Sequence, residues 1–238
     1  MKHLWLAAGL IASLSILPAL QAQSADDVGD ADSFDRAVVH LGMAETTWLT
    51  SQSDCASDLA RGYRCTPLKP PAEITSWTLT DLDTIALPAR AASSLLCFEY
   101  TPFIEATLKN TTTANAPAFW LARGRLTIRS VVLEDPTLVR PGTGLPYNGE
   151  LTIQLSSWSE RVTLAPGQET SKGVDYTRRC GQSAISKARL RAVFGFSGAQ
   201  ANAFFNNPIT LVLGATGETR YGTKLELQYN LRVFGDRR

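Results

Sequence analysis

The sequence predicts a mainly β fold, namely an antiparallel β-sandwich of about eight to ten strands. Three observations lead to this prediction. Short segments in which apolar and polar residues alternate recur along the chain, and clusters of Gly, Pro, Asn and Asp separate them. Helical periodicity is almost absent, so at most one short helix is expected. Hydrophobic residues make up 44% of the 238 residues, which is enough for a large packed core.

The centre of the predicted sandwich is the segment from Leu95 to Leu133. Two apolar, β-rich runs in it are separated by the polar stretch Lys109–Asn115. This arrangement predicts two neighbouring antiparallel strands joined by an Asn/Thr loop. Apolar and polar residues alternate from Leu126 onward, as expected for a sheet that buries one face.

Residues 1–22 are predicted to be a cleaved signal peptide. Lys2 precedes an apolar run from Leu4 to Leu17, and small residues follow up to Ala22. A transmembrane anchor is the alternative reading, but the run is short for a bilayer and no stop-transfer charges follow it.

Cleavage after Ala22 sets the rest of the predicted organisation. Residues 23–36 contain five aspartates and are expected to form an acidic, disordered lead-in. Residues 37–238 are expected to form a single β-sandwich domain with no further integral membrane segment. The predicted location is therefore the periplasm or the extracellular space.

The charge balance argues against a nucleic-acid partner. Removing Lys2 with the leader leaves 22 basic and 22 acidic residues, so the mature chain is formally neutral. A neutral chain has no overall field that attracts polyanions.

The four cysteines predict two disulfides and no metal site. An even number of cysteines in an oxidising compartment favours disulfides, and no CxxC pair is present. His40 is the only histidine outside the leader. Of the three pairings, Cys55–Cys65 with Cys97–Cys180 is favoured, because the first closes a short polar loop and the second ties the central segment to a late one.

The remaining elements follow from alternation and turn signals. A helix is predicted at Gly198–Phe205, capped by Ser197 and stopped by Pro208. Residues 51–71 are expected to be a loop, and Pro141–Gly149 is too rich in Gly and Pro for regular structure. The other predicted strands are 37–41, 46–49, 74–80, 151–155, 161–164, 189–196, 209–213 and 224–233.

Two segments carry a resemblance to a known family. Glu105–Thr111 and Leu164–Gln168 resemble strand and turn phrases common in bacterial immunoglobulin-like domains. The resemblance covers a small part of the chain and implies fold class alone, an immunoglobulin-like or jelly-roll-like sandwich. Asn110-Thr111-Thr112 also matches a glycosylation sequon.

The sequence indicates no catalytic residues. A nucleophilic triad would have to use His40, and no GxSxG or HExxH motif is present. The acid pairs Glu134-Asp135 and Asp81/Asp83 would suit a glycosidase only if two carboxyl groups faced each other across a cleft.

A few aromatic and polar residues are candidate ligand contacts. A cluster of arginines near an aromatic pair would share one strand face unless a bulge lies at Gly124. The alternative is that these arginines simply mark an outward face and discourage aggregation. One tryptophan, Trp158, lies between two predicted strands and is expected at the surface, and the Gly/Pro-rich loop is a usual place for contacts. The candidates are Trp120, Arg123, Arg125, Tyr147, Asn148 and Trp158.

The predicted role is a non-enzymatic binding, adhesion or envelope-assembly module without a cofactor, whose partner is a protein or glycan at the cell envelope. One alternative is a carbohydrate-active hydrolase that uses carboxylates. Another is a polymerising surface subunit, which would use an unpaired edge at Lys224–Val233 or release its aspartate-rich segment to a neighbour.

Overall fold

The computed structural model describes residues 37–180 and 184–236, and it confirms the predicted antiparallel β-sandwich. The predicted leader and acidic segment lie outside the described residues. Two sheets, of eight and four strands, face each other across one hydrophobic core. The strands are β1 (Val38–Glu45), β2 (Leu49–Gln52), β3 (Arg64–Pro67), β4 (Thr75–Leu87), β5 (Leu95–Lys109), β6 (Ala116–Arg129), β7 (Glu150–Leu164), β8 (Glu169–Val174), β9 (Arg178–Arg179), β10 (Ile185–Ser186), β11 (Ile209–Arg220) and β12 (Gly222–Asp236).

The larger sheet is built around β12. It has the order β10-β5-β12-β2-β3, with β1 also paired to β12, and with β8 and β9 also paired to β5. The hypothesis of an unpaired edge at Lys224–Val233 is wrong, because β5 pairs along one side of β12 while β1 and β2 pair along the other. All pairings are antiparallel except that between β2 and β3.

The smaller sheet has the order β4-β11-β6-β7. The two strands of the central segment are therefore not neighbours, since β5 belongs to the larger sheet and β6 to the smaller one. The predicted hairpin is wrong in this respect. Each of the two strands has an inward apolar face, so placing them in facing sheets buries both faces in the same core.

Asn110 fixes the crossing between the two sheets. Its side-chain amide donates hydrogen bonds to the carbonyls of Leu164 (2.9 Å) and Ala114 (2.7 Å), and its backbone N–H donates to Gln168 (3.0 Å). The two segments that resemble immunoglobulin-like phrases thus contact each other. Asn110 is fully buried, so a glycan on its amide nitrogen is incompatible with this packing.

The predicted short helix is present, as α3 (Gly198–Asn206). Ser197 accepts a hydrogen bond from the backbone N–H of Gln200, and the Gln200 side chain accepts one from the N–H of Ser197. This reciprocal capping box is the arrangement that a Ser followed three residues later by Gln favours.

Residues 37–180 and 184–236 contain three further helical segments, more than the single helix expected. They are α1 (Ala56–Ala60), a 3₁₀ turn (Val131–Glu134) and α2 (Lys187–Phe194). The strand predicted over 189–196 is wrong: Ser186 caps the start of α2, and Gly195, with φ of 76°, ends it.

β7 is one strand where two were predicted. A bulge in its pairing with β6 leaves both Leu155 and Ser156 facing the core. Odd-numbered residues point inward before the bulge and even-numbered residues after it. Trp158 is therefore turned into the sandwich.

Aromatic rings fill the middle of the core because small residues on the neighbouring strands leave room for them. The register places Trp77, Gly217, Ala122 and Trp158 in one row across the smaller sheet. Tyr100 of β5 stacks on Trp158 with 5.7 Å between ring centroids. The alternation of large and small residues lets the two sheets interdigitate.

The two disulfides are Cys55–Cys65 and Cys97–Cys180, the pairs favoured from the sequence, with Cα atoms 5.5 and 4.8 Å apart. Disulfides are typical of proteins that fold in oxidising compartments. Within the described ranges, no helix has both the length and the apolar character needed to cross a membrane.

Candidate binding face

The outer face of the smaller sheet concentrates arginines, and we call it the arginine face. We define it by Arg123 and Arg125 of β6, Arg161 of β7 and Arg220 of β11, together with the outward residues between them. Arg161 and Arg220 lie on either side of Phe119 in one row across the sheet. The face is polar because outward residues alternate with core residues along each strand.

Arg123 and Arg125 share this face as the sequence predicted. The bulge of the β6–β7 pair lies on β7, so the alternation along β6 is not interrupted at Gly124. Arg123 lies between Thr216 and Ser157, and Arg125 lies one row further along, beside Gln154. The two arginines are two residues apart along a strand, or ~7 Å.

A depression of about 470 Å³ lies around these two arginines. Bulges in the β4–β11 and β6–β7 pairings flank it, and bulges bend a sheet. Its polar lining consists of hydroxyl, amide and carboxylate groups in addition to the guanidinium groups. These groups belong to Ser76, Thr78, Thr152, Gln154, Thr216 and Glu218.

None of the four arginines that define the face forms an ion pair with a carboxylate of the described part of the chain. The guanidinium of Arg161 lies over the ring of Phe119 at 5.1 Å, and Arg220 donates to the backbone carbonyl of Ala72 at 2.9 Å. Arg129, the last residue of β6, differs from these four because it has acidic partners: it lies 2.7 Å from Glu150 and 3.8 Å from Asp81. Among the described residues, the arginine face therefore holds guanidinium groups without a carboxylate partner, although the whole chain is nearly neutral.

The chemistry of this arrangement suits an anionic, hydroxyl-bearing ligand. Guanidinium groups bind carboxylate, sulfate and phosphate through paired N–H donors, and the side chains remain charged at every physiological pH. The Ser, Thr and Gln side chains around them can donate to or accept from hydroxyl groups. Because the face is exposed, the attraction is screened by salt.

Three of the other candidate contacts are buried and cannot contact a surface ligand. The expectation that Trp158 lies at the surface is wrong, since it is 6% exposed, and Trp120 is 2% exposed. Tyr147 is also buried, and its hydroxyl donates to the carbonyl of Phe194 at 2.9 Å. Burial raises the pKa of Tyr147. Asn148 is exposed with φ of 54°, and it does not line the depression.

The carboxylate pairs weighed for glycoside hydrolysis have structural partners. Asp83 accepts a hydrogen bond from the N–H of Glu45 at 2.9 Å, and Asp81 lies near Arg129. Hydrogen bonds from Thr137 and then Gln200 lower the pKa of Asp135. A general acid for this reaction needs a raised pKa, so Asp135 does not match that role.

His40 lies on β1 with its ring 5.5 Å from that of Phe234, in an edge-on contact. In residues 37–180 and 184–236, no three His, Cys, Asp or Glu side chains are grouped so that they could hold a metal ion.

Sequence reasoning missed Thr216 and Glu218. Both lie beyond Leu213, the last residue of the predicted strand, and within β11. They alternate with the buried residues Ala215, Gly217 and Thr219. The same alternation test, continued past Leu213, would have placed them on an outward face.

No family model matches the chain, and no curated protein is similar to it. Among solved structures, the chain is similar to the structure of infectious bursal disease virus Gx strain. The identity is 10%, the TM-score is 0.27, and the match covers 86% of this chain and 34% of that chain. For the structure of the Gt strain, the identity is 8%, the TM-score is 0.26, and the match covers 86% of this chain and 34% of that chain. For the structure of black queen cell virus, the identity is 12%, the TM-score is 0.15, and the match covers 99% of this chain and 85% of that chain. The chain thus spans about a third of the bursal disease virus chains that it matches. At TM-scores this low, the likeness carries no argument about function.

Proposed function

We propose that this protein is an exported, non-enzymatic binding module of the cell envelope, located in the periplasm or outside the cell. Its arginine face binds an acidic envelope component, either a glycan or a protein. The observation that carries the proposal is the group of arginines, two of them in a depression, that have no carboxylate partner in the described structure. The leader-like N-terminus and the two disulfides support the location.

The proposal is tested by calorimetric titration of residues 23–238 with an acidic polysaccharide such as polygalacturonate, and with neutral dextran. We expect binding to the acidic polymer alone, and affinity that falls with ionic strength. The double variant Arg123→Ala/Arg125→Ala should lose about tenfold or more in affinity, because hydrogen bonds to charged groups contribute about 1.5–3 kcal/mol each.

The matched control is Arg61→Ala/Arg191→Ala. It removes the same charge from two exposed arginines that do not belong to the arginine face. This control should bind as the parent protein does. Equal losses of affinity in both double variants would mean that net charge alone drives binding. Equal binding of neutral dextran would contradict the role proposed for the arginines.

A structural subunit is the second candidate, and the edge of β7 favours it. β7 is 15 residues long, and β6 is its one partner strand in the described part of the chain. Apart from its pairing with β6, the backbone from Leu151 to Thr163 makes no backbone hydrogen bond within the described residues, so the outer edge of β7 is open to strand addition. Light scattering during size-exclusion chromatography tests this candidate, and a monomer at every concentration would exclude it.

A further inference from the structure

We infer that the aspartate-rich segment, residues 23–36, binds the arginine face of its own chain and competes there with acidic ligands. The inference rests on the proposed binding role of that face. It adds a regulatory partner that is part of the same polypeptide.

Charge complementarity is the first argument. The segment contains five aspartates and one basic residue, Arg36, which gives it a formal charge of −4. The arginine face carries four arginines and Glu218. The segment and the face therefore have opposite charges of similar size, within a chain whose formal charge is +1.

Three basic side chains of the larger sheet, in contrast, already have acidic partners. Each of these three forms an ion pair with an acid of the same sheet. These pairs are Lys109–Glu169 at 3.1 Å, Lys224–Glu226 at 2.9 Å and Arg232–Glu99 at 3.6 Å. An acidic segment would gain less there than on the arginine face, because it would have to displace these partners.

The described chain begins at the end of the sandwich where β4 and β6 also end. Val38 pairs with Asp236, and Asp236 accepts hydrogen bonds from the segment just before β5. This is the end of the sandwich at which β4 ends at Leu87, because β1 lies beside β4 and runs in the opposite direction. The N–H of Glu45 donates to Asp83 and Gly42 lies against Ile85, so Val38 lies toward Leu87. β6 ends there as well, because Leu87 pairs with Ile209 and Arg129 pairs with the next residue of β11.

Residues 23–36 are long enough to reach the arginine face from the start of β1. Arg125 is four residues from Arg129 along β6, or ~13 Å. A segment of 14 residues spans up to ~46 Å when extended. It can therefore pass the edge strand β4 and lie along the outer face as far as both arginines of the depression.

Such a contact should be partial and reversible. Single exposed ion pairs contribute little, but a tether supplies an effective concentration in the millimolar range. Several weak pairs then suffice to occupy the face for part of the time. An acidic ligand or added salt displaces the segment.

The direct test is paramagnetic relaxation in residues 23–238. A nitroxide attached at Ser33→Cys should broaden the backbone amide signals of Arg123, Arg125 and Thr216 at about 20 mM salt, and the broadening should disappear near 500 mM. The same label placed at Ser171→Cys, on the larger sheet, should leave these three signals sharp.

Charge specificity is tested with the label kept at position 33. Changing the five aspartates to asparagine should abolish the broadening. A control removes five exposed acids elsewhere and should retain it. The control positions are Glu73, Glu105, Glu134, Glu169 and Asp175.

Two results would overturn the inference. One is the absence of selective broadening at low salt. The other is equal broadening in a mixture of spin-labelled chains and separate isotope-labelled chains, because the contact would then join two copies. Neither measurement uses a ligand, so this inference and the proposed function can fail separately.

The consequence for binding is measured with the five-asparagine variant and polygalacturonate. Its affinity should exceed that of the parent about three- to tenfold, because the competitor is gone. Unchanged affinity would mean that the segment does not compete.

Discussion

At the scale of single residues, Asp236 shows how a buried carboxylate is retained in this fold. Its side chain is fully buried at the end of β12. One oxygen accepts from the backbone N–H groups of Ser94 and Leu95 at 2.8 Å each, and the other accepts from the Ser94 hydroxyl at 2.8 Å. Burial alone would raise the pKa of Asp236, but these hydrogen bonds outweigh it and the pKa is lowered.

Asp236→Asn should therefore destabilise the protein by about 1–2 kcal/mol near neutral pH, since hydrogen bonds to a charged acceptor are stronger than neutral ones. The sign follows from the lowered pKa. The difference in unfolding free energy between the parent and Asp236→Asn is complete above the unfolded-state pKa of about 3.9. It is lost as pH falls through the lower folded-state pKa. Urea unfolding of both proteins at several pH values measures this. An unfolding difference that stays constant down to pH 2 would contradict it, and Asp175→Asn, at an exposed position, is the control.

At the scale of elements, the smaller sheet depends on two glycines that face large rings. A Cβ built at Gly124 would overlap the ring and hydroxyl of Tyr100, and one at Gly217 would overlap Trp77. Neither glycine has a positive φ, so the requirement is for space. The glycines allow the rings of the opposite sheet, or of the neighbouring strand, to lie against the β-sheet backbone.

Gly124→Ala should cost about 1–3 kcal/mol, the usual range for overpacking a core. Adding Tyr100→Phe removes the hydroxyl that lies nearest the new methyl group, so the double variant should be more stable than Gly124→Ala alone. Gly198→Ala is the control, because nothing lies within 4 Å of its built Cβ. Thermal unfolding is measured for the parent, Gly124→Ala, Tyr100→Phe, the double variant and the Gly198→Ala control. Simple additivity of the Gly124 and Tyr100 substitutions would argue against this contact.

At the scale of the whole molecule, two disulfides restrain chain segments of very different length. Cys55–Cys65 closes a separation of 10 residues around α1. Cys97–Cys180 spans 83 residues and ties β5 to the segment that follows β9. The entropy removed from the unfolded chain grows with the length of the closed loop.

Removing Cys97–Cys180 by paired serine substitutions should cost about 4.5 kcal/mol, against about 2.7 kcal/mol for Cys55–Cys65, if loop entropy dominates. Guanidinium unfolding of the two double variants gives both values. A larger loss for Cys55–Cys65 would mean that native contacts around α1 outweigh the entropy of the unfolded chain.

The arginine face also belongs to this scale, because four strands that are distant in sequence build it. The sequence placed Arg123 and Arg125 on one strand face, since alternation along β6 is local. It could not predict that Glu150 and Asp81 neutralise Arg129 while no described acid neutralises Arg123 or Arg125. Charge pairing depends on which strands become neighbours.

The sequence by itself determined the β-sandwich class, the cap of α3 at Ser197 and the inward face of β12, because each depends on patterns among residues close together in the chain. It also favoured both disulfide pairs from spacing. Only the tertiary structure decided that β5 and β6 lie in different sheets, that a bulge turns Trp158 inward, and that 189–196 is largely helical. A period of two specifies which residues share a face, but not which sheet a strand joins or which face meets the core. Long-range packing makes those choices, because burying apolar area across two sheets is a property of the assembled sandwich.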